Sequence, residues 1–425
     1  MNNQGYIYTI VTVTLVLIIL SLTLFFFQIS EPETEEIIAK IRMDELHYFI
    51  ESVKLDFSRA TSISAQRATT YSIDHILRTN ESLWDYNMVN CTQFNYSGYG
   101  SQAAIAELMF CGTFNGTSKD SALYMENNTI PDWIKRITKK GEEINFFINI
   151  TLKNIEIMPY DSFRFAVVST LDIIASDKLN QSFYKSYNVP VISIVSITSM
   201  EDPLYYMKTG RQSLIRYFTP CESSFIVDGK AIDYWINSEC YHSSNPYFYA
   251  PSFFDRLDGN LNISEKYLQQ SYLMADSMHL PTKDIGLESF VNLDDFATYN
   301  ISVDLTRTWI DYLYWLNVSG DCSVNNMLEH PDFLIDNDEY SHLKKYEIKG
   351  AVCQGGVQIC NVYYPCGSQD FICPRQFGAP CIGIPDPDCG GVTICNEVYN
   401  CGGLPDHICP EKFGAICKVQ DPDCL

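Results

Sequence analysis

Apolar and polar positions change rhythm several times along this chain, and each change marks a different element. Residues 6–29 (YIYTIVTVTLVLIILSLTLFFFQI) carry no charge, and the first acidic or basic residue is Glu31. About 20 apolar residues cross a bilayer core as a helix, because a helix satisfies its own backbone polar groups. A cleaved secretory signal would instead carry a basic start, a shorter apolar core and a small-residue cleavage site. Residues 1–4 hold no Lys or Arg, and 25–29 (FFFQI) offer no small pair. The pattern predicts an uncleaved membrane span at 6–29, within an anchor of residues 1–30.

From 32 to 79 the period becomes helical. Ile38, Ile41, Leu46, Phe49, Val53, Phe57, Ala60 and Ser64 recur at three- and four-residue steps and are expected to form one apolar stripe, with Lys40, Asp44, Glu51, Lys54 and Arg67 on the opposite face. Asn80 and Ser82 provide a stop. An acidic joint, Glu31-Pro-Glu-Thr-Glu-Glu36, connects the span to this amphipathic helix, so 31–79 reads as a stalk. Its apolar stripe packs on the protein's own body or on copies of itself.

Residues 80–128 read as loop and short helix, with Cys91 and Cys111 bracketing a Gly- and sequon-rich segment that a disulfide would close. Asn128-Thr-Ile-Pro-Asp-Trp133 is a helix start, with a capping side chain and a Pro whose missing N–H costs nothing there, and Gly141 is its expected end. Alternation of apolar and polar residues then predicts half-buried strands at 146–152, 163–173 and 191–198. With the helix as cover, 80–202 becomes an α+β body on an antiparallel sheet. Prolines and glycines break 203–350 into short pieces, a second domain or a continuation of the first. Cys221 and Cys240 are expected to bridge locally, and 306–316 (TRTWIDYLYWL) to pack as a strand or short helix.

The tail repeats itself. Gly355-Gly-Val-Gln-Ile-Cys360 returns as Gly390-Gly-Val-Thr-Ile-Cys395, and five cysteine pairs from Cys360/Cys395 to Cys389/Cys424 keep an offset of 35 or 36 residues. Two small repeats, 351–389 and 390–425, follow. Neighbouring cysteines within a unit lie six to eight apart, wider than the spacing of about two to four between paired zinc ligands. Disulfide staples suit units too small to rely on a core. Each unit has five cysteines, so a fully oxidised array needs a bridge between the units or to Cys353, with Cys322 available for a remaining odd position.

Composition adds a compartment. Eleven of the sixteen cysteines lie in the tail, and ten N-x-Ser/Thr acceptors begin at Asn80, Asn90, Asn95, Asn115, Asn127, Asn149, Asn180, Asn262, Asn300 and Asn317. Disulfides and glycan acceptors both belong to an oxidising, exported setting. The bulk of the chain is therefore expected outside the cell, with a single pass through the cell membrane. A formal charge of −23 argues against nucleic acid or anionic lipid as a partner of the body.

Candidate chemistry is sparse. The seven histidines form no metal-ligand spacing, and no nucleophile elbow or phosphate-binding glycine loop occurs. Asp386, Asp388, Asp421 and Asp423 could hold Ca²⁺, though capped turns explain them more simply. Asp255, Asp258, Glu265, Asp294 and the cluster Asp336-Asn-Asp-Glu339 could supply a glycosidase-like pair, but nothing in their spacing fixes a separation. No catalytic, cofactor-binding or metal-ligating residue is assigned.

Several segments together resemble archaeal pilin-like, membrane-anchored surface proteins. They are Gln4-Gly-Tyr-Ile-Tyr-Thr9 before the span, Phe57-Ser-Arg-Ala-Thr-Ser-Ile-Ser-Ala-Gln-Arg67, Asn128-Thr-Ile-Pro-Asp-Trp133, Ser199-Met-Glu-Asp-Pro-Leu-Tyr205 and Ala250-Pro-Ser-Phe-Phe-Asp-Arg-Leu-Asp-Gly-Asn260. The tail is similar to Cys-rich Asp-Pro-Asp-Cys modules of exported archaeal proteins. Gln4 stands where such prepilins usually have Lys or Arg, and Ile10 where pilins often have Glu. The resemblance implies a non-enzymatic, glycosylated surface protein used for adhesion or contact with surface or cell-envelope partners. Two other expectations stand beside it: a pilin-like subunit that self-associates through its N-terminal helix, and an exported hydrolase with a site in 203–345.

Overall fold

The computed structural model describes residues 3–365, apart from short stretches of which 223–230, 279–283, 325–332 and 337–341 are the longest, together with 393–394 and 397–398. The fold is mixed helix and antiparallel sheet. It divides into two compact units: Met1–Ser72, Tyr86–Met158 and Phe165–Val195 form the first; Ile73–Asp85, Pro159–Arg164 and Ser196–Leu425 the second.

A single helix, α1 (Asn3–Thr79), opens the chain and runs without a break through the acidic joint. Its stretch Tyr8–Phe25 has a mean hydropathy of 2.4, no residue of it is buried, and it is long and apolar enough to cross a membrane. From Leu46 onward the same helix is core: Leu46, Ile50, Val53, Phe57, Ala65 and Ala68 are buried. Asn80 ends it in the left-handed conformation (φ 62°), its N–H donating to the Ile76 carbonyl at 2.7 Å.

Around this core lie α2 (Ser101–Cys111), α3 (Ala122–Met125) and α4 (Ile130–Glu143), with a sheet of β1 (Phe146–Asp161), β2 (Arg164–Asp177) and β3 (Phe183–Ser196) in the order β1–β2–β3. The sequence of α1 explains the close approach of β3. Ser58 and Ser62 donate their hydroxyls to the Ile192 and Ile194 carbonyls, each at 3.2 Å, which longer side chains would prevent. Phe57 meets Trp133 edge-on, and the Trp133 indole donates to Asp56 at 3.0 Å. Thr129 and Asp132 form the expected capping box of α4. Gly141 does not end that helix. A Cβ there would lie 3.1 Å from the Ile148 side chain, so the glycine serves close packing, and the chain turns at Asn145 (φ 64°). The segment read as loop and short helix holds α2, whose Ser101–Phe110 are all buried. Its Glu107 is satisfied there by Tyr86, Thr113 and the Gly116 N–H at 2.8–2.9 Å. Cys91 and Cys111 are bridged.

The second unit is built of short elements. They are α5 (Pro203–Lys208), α6 (Ala231–Asn237), β4 (His242–Ser244), α7 (Phe253–Asp258), α8 (Glu265–Ser277), β5 (Gly286–Glu288), α9 (Leu293–Thr298), α10 (Asp311–Trp315), β6 (Cys322–Val324), β7 (Phe333–Ile335), α11 (His342–Lys345) and β8 (Ala351–Cys353). Strands β4 and β5 pair antiparallel, and β6 lies between β7 and β8. Trp235, Phe290, Trp309, Ile310, Tyr312 and Tyr346 belong to one apolar cluster. The Cys221–Cys240 bridge forms as expected, and Cys322 is also disulfide-bonded, standing opposite Cys353 in register.

In the tail, β9 (Gly356–Ile359) pairs with β10 (Val362–Pro365), and β11 (Thr393–Ile394) with β12 (Glu397–Val398). Ile359↔Val362 and Ile394↔Glu397 occupy equivalent places 35 residues apart. The Asp-Pro-Asp turns and the tail's remaining cysteines lie outside the described residues.

Candidate functional site

The short strand β5 organises the polar interior of the second unit. Glu288 is fully buried and takes donors from Lys345 Nζ and the Tyr346 hydroxyl, while His342 Nε2 lies 3.1 Å away. The other ring nitrogen of His342 is 2.9 Å from Asp336 Oδ1, and the His342 backbone N–H donates to Asp336 Oδ2 at 3.0 Å. Burial pulls the Lys345 ammonium down to about 7, and Asp284 opposes that fall.

One residue further along, Ser289 joins a second network centred on Arg256. The guanidinium donates to Asp202 at 2.6 Å, to Asp311 at 2.7 Å and to the Leu287 carbonyl at 2.6 Å. Tyr241 donates to Asp202 at 2.7 Å, and Ser289 to Asp311 at 3.0 Å. Burial works against the charge on Arg256, but Asp311 and Asp202 outweigh it and hold the proton firmly. Both networks pair their charged groups with buried partners, the second holding two carboxylates to one cation and leaving Arg256 Nε without a hydrogen-bond partner. They tie β5, α5, α7, α10 and α11 together.

Two adjoining cavities open beside these networks, both inside the second unit. The outer one, about 580 Å³, is lined by Asp161, Arg164, Ser196, Thr198 and Asp284. The inner one, about 290 Å³, is lined by Cys221, Trp235, Tyr241, His242, Lys345 and Tyr346. Phe163 and Ser243 line both. Phe163 sits at the tip of the β1–β2 turn. Asp161 Oδ1 accepts the Phe163 N–H at 3.0 Å, Arg164 Nε donates to Asp161 Oδ2 at 2.8 Å, and the Phe163 carbonyl accepts the Ile197 N–H at 3.0 Å. The Ser162 hydroxyl ties the same turn to the Asp284 carbonyl at 3.0 Å. The ring is thus held on a rigid turn. Burial pulls the His242 imidazole down to about 3, helped by Lys345.

The acidic residues weighed as a hydrolytic pair take other places. Asp255 closes the capping box of α7 with Ser252, and burial pushes its carboxyl up to about 6. Asp258 accepts from Tyr267 at 2.5 Å, Glu265 accepts from Gln269 at 2.6 Å, Asp294 stands in the first turn of α9, and Asp336 holds His342. None of them lines either cavity. Cys221, Cys240 and His242 bring three potential ligand atoms within 4.8 Å, but both sulfurs belong to the disulfide and have no thiolate to offer. The cavities themselves escape the sequence, because their walls come from seven separate segments between Asp161 and Tyr346.

No family model, curated protein or solved structure matches the chain.

Proposed function

We propose that this chain is a non-enzymatic surface protein, tethered by one N-terminal helix and presenting an extracellular body and disulfide-stapled tail modules for adhesion or surface contact. One observation carries it: within a single helix, Tyr8–Phe25 is wholly exposed and apolar, whereas the stretch from Leu46 is buried in the body. An apolar surface of that length needs lipid or other helices around it. The oxidised cysteines and the sequons support an exported body. Seven of the ten acceptor asparagines lie among residues of described exposure, and all seven are exposed. Five of them (Asn80, Asn115, Asn127, Asn300 and Asn317) sit at left-handed turns. Protease applied to intact cells tests the orientation. Release of glycosylated fragments of the body is expected; full protection until lysis would place the body inside.

A second reading, a pilin-like subunit that self-associates through α1, is favoured by a specific observation. Ile41, Tyr48 and Leu55 recur every seven residues and are 52, 73 and 65% exposed, on the helix face turned away from Leu46, Val53 and Phe57. Ile41 thus falls outside the single stripe expected to hold it with Leu46 and Phe57, and the three residues supply one of the two apolar positions per heptad by which helices associate. Cysteine cross-linking at position 48 in native membranes tests it: cross-linked dimers support self-association, and monomers alone oppose it.

A further inference from the structure

We propose that the two adjoining cavities of the second unit form a binding cleft for a neutral saccharide of two or three rings, with Phe163 as the stacking platform between them. This names the contact chemistry of the surface-protein reading and rests on it only for where the ligand is met.

Size comes first. At about 580 and 290 Å³ the chambers together fall in the range of about 300–1,000 Å³ typical of small-ligand sites. The inner chamber suits a single sugar ring and the outer one the remainder.

Charge then narrows the class. Arg164 neutralises Asp161, Glu288 neutralises Lys345, and His242 is neutral at pH 7 because burial holds its imidazole at about 3. The remaining charges, Asp284 on the outer chamber and exposed Glu222 on the inner, repel an anionic ligand. A neutral ligand meets no such barrier; a cation would be drawn to the same two carboxylates and serves as the competing ligand in the test.

The polar groups are those a polyol uses. Thr198 and Ser243 carry exposed hydroxyls that donate and accept, the Ser196 hydroxyl donates to Thr198 Oγ1 at 3.0 Å and orients it, the carboxylates accept, and Arg164 donates. Phe163 is half-buried and borders both chambers, so part of its ring remains for the apolar C–H face of a sugar. Its backbone is fixed by two hydrogen bonds, to Asp161 and from Ile197, and Arg164 holds the same Asp161, so the platform is ordered before ligand arrives.

The test uses the full-length chain in lipid nanodiscs, free of sugar-based detergent, titrated with chitotriose, cellotriose and maltotriose by calorimetry and saturation-transfer NMR. Saturable one-to-one binding of at least one of them is expected. Phe163→Ala should weaken it by about tenfold, as for loss of an aromatic contact. Thr198→Val, nearly isosteric and exposed, should weaken it by severalfold with the thermal unfolding of the protein unchanged, which separates binding from folding. Absence of binding by all three at millimolar concentration would overturn the proposal, as would wild-type affinity in both variants. Binding of tetramethylammonium in their place would overturn it too. None of these results alters whether the protein is membrane-anchored, which is read separately by extraction.

Discussion

Arg256 Nη2 lies 2.7 Å from Asp311 Oδ2, and neither side chain reaches solvent. With Asp202 on the other branch of the same guanidinium, the ion cluster joins α5, α7 and α10 across long sequence separations. Removing Asp311 leaves Arg256 balanced by Asp202 but takes a buried acceptor from the guanidinium and from the Ser289 hydroxyl. Asp311→Ala is therefore expected to destabilise the second unit by about 1–3 kcal/mol. Chemical denaturation followed by near-UV circular dichroism checks this; a loss below about 1 kcal/mol would show that water replaces the carboxylate.

His242 makes the second unit acid-sensitive. Its folded value, about 3, lies below the ordinary 6.5, so the unfolded chain binds the proton more readily between those values. The stabilisation is present above 6.5 and is lost as pH falls toward 3. Between pH 7 and 5 the difference amounts to about 2 kcal/mol. His242→Gln should flatten the stability profile over that window relative to the wild type, as read by thermal unfolding at a series of pH values.

Leu55 and Phe57 stand two residues apart on opposite faces of α1, 65 and 1% exposed. Phe57→Ala removes a ring packed on Trp133 and should cost about 3–5 kcal/mol. Leu55→Glu should change stability by no more than about 0.5 kcal/mol. If the outer stripe meets another helix, Leu55→Glu alone abolishes cross-linking at position 48.

The Cys91–Cys111 bridge closes a loop of 20 residues in the first unit. Replacing both by Ser should lower stability by roughly 3 kcal/mol, chiefly by freeing the unfolded chain. Urea unfolding of the double variant, compared with the wild type under non-reducing conditions, measures it.

Elements with a strong local pattern were legible in the sequence. The apolar span, the helix stop at Asn80, the capping at Thr129, the three alternating strands and both local disulfides follow from residues close together in the chain. The strand limits differ from expectation: β1 and β2 end later than their alternation does, and β3 begins at Phe183 and stops at Ser196, short of 198. Helix α2 was obscured because Ser101–Phe110 is buried on every side, which leaves no polar face to set a period. Gly141 misleads for a related reason: its missing side chain answers a packing demand from Ile148, and the local sequence carries no sign of it. The networks of Glu288 and Arg256 join residues some 54–58 positions apart, beyond the reach of any spacing rule. The cleft, assembled from Asp161 to Tyr346, was hidden in the same way.

The central claim is the tether, and the N-terminus of the native protein tests it most directly. The protein should be extracted from carbonate-washed membranes, deglycosylated and analysed without reduction by intact mass and N-terminal sequencing. A membrane-bound chain that retains residues 8–25 is predicted, with a start at Met1 favouring a simple anchor and a start at Tyr6 favouring the pilin-like subunit. A body recovered in the soluble fraction, beginning beyond residue 30, would contradict the account.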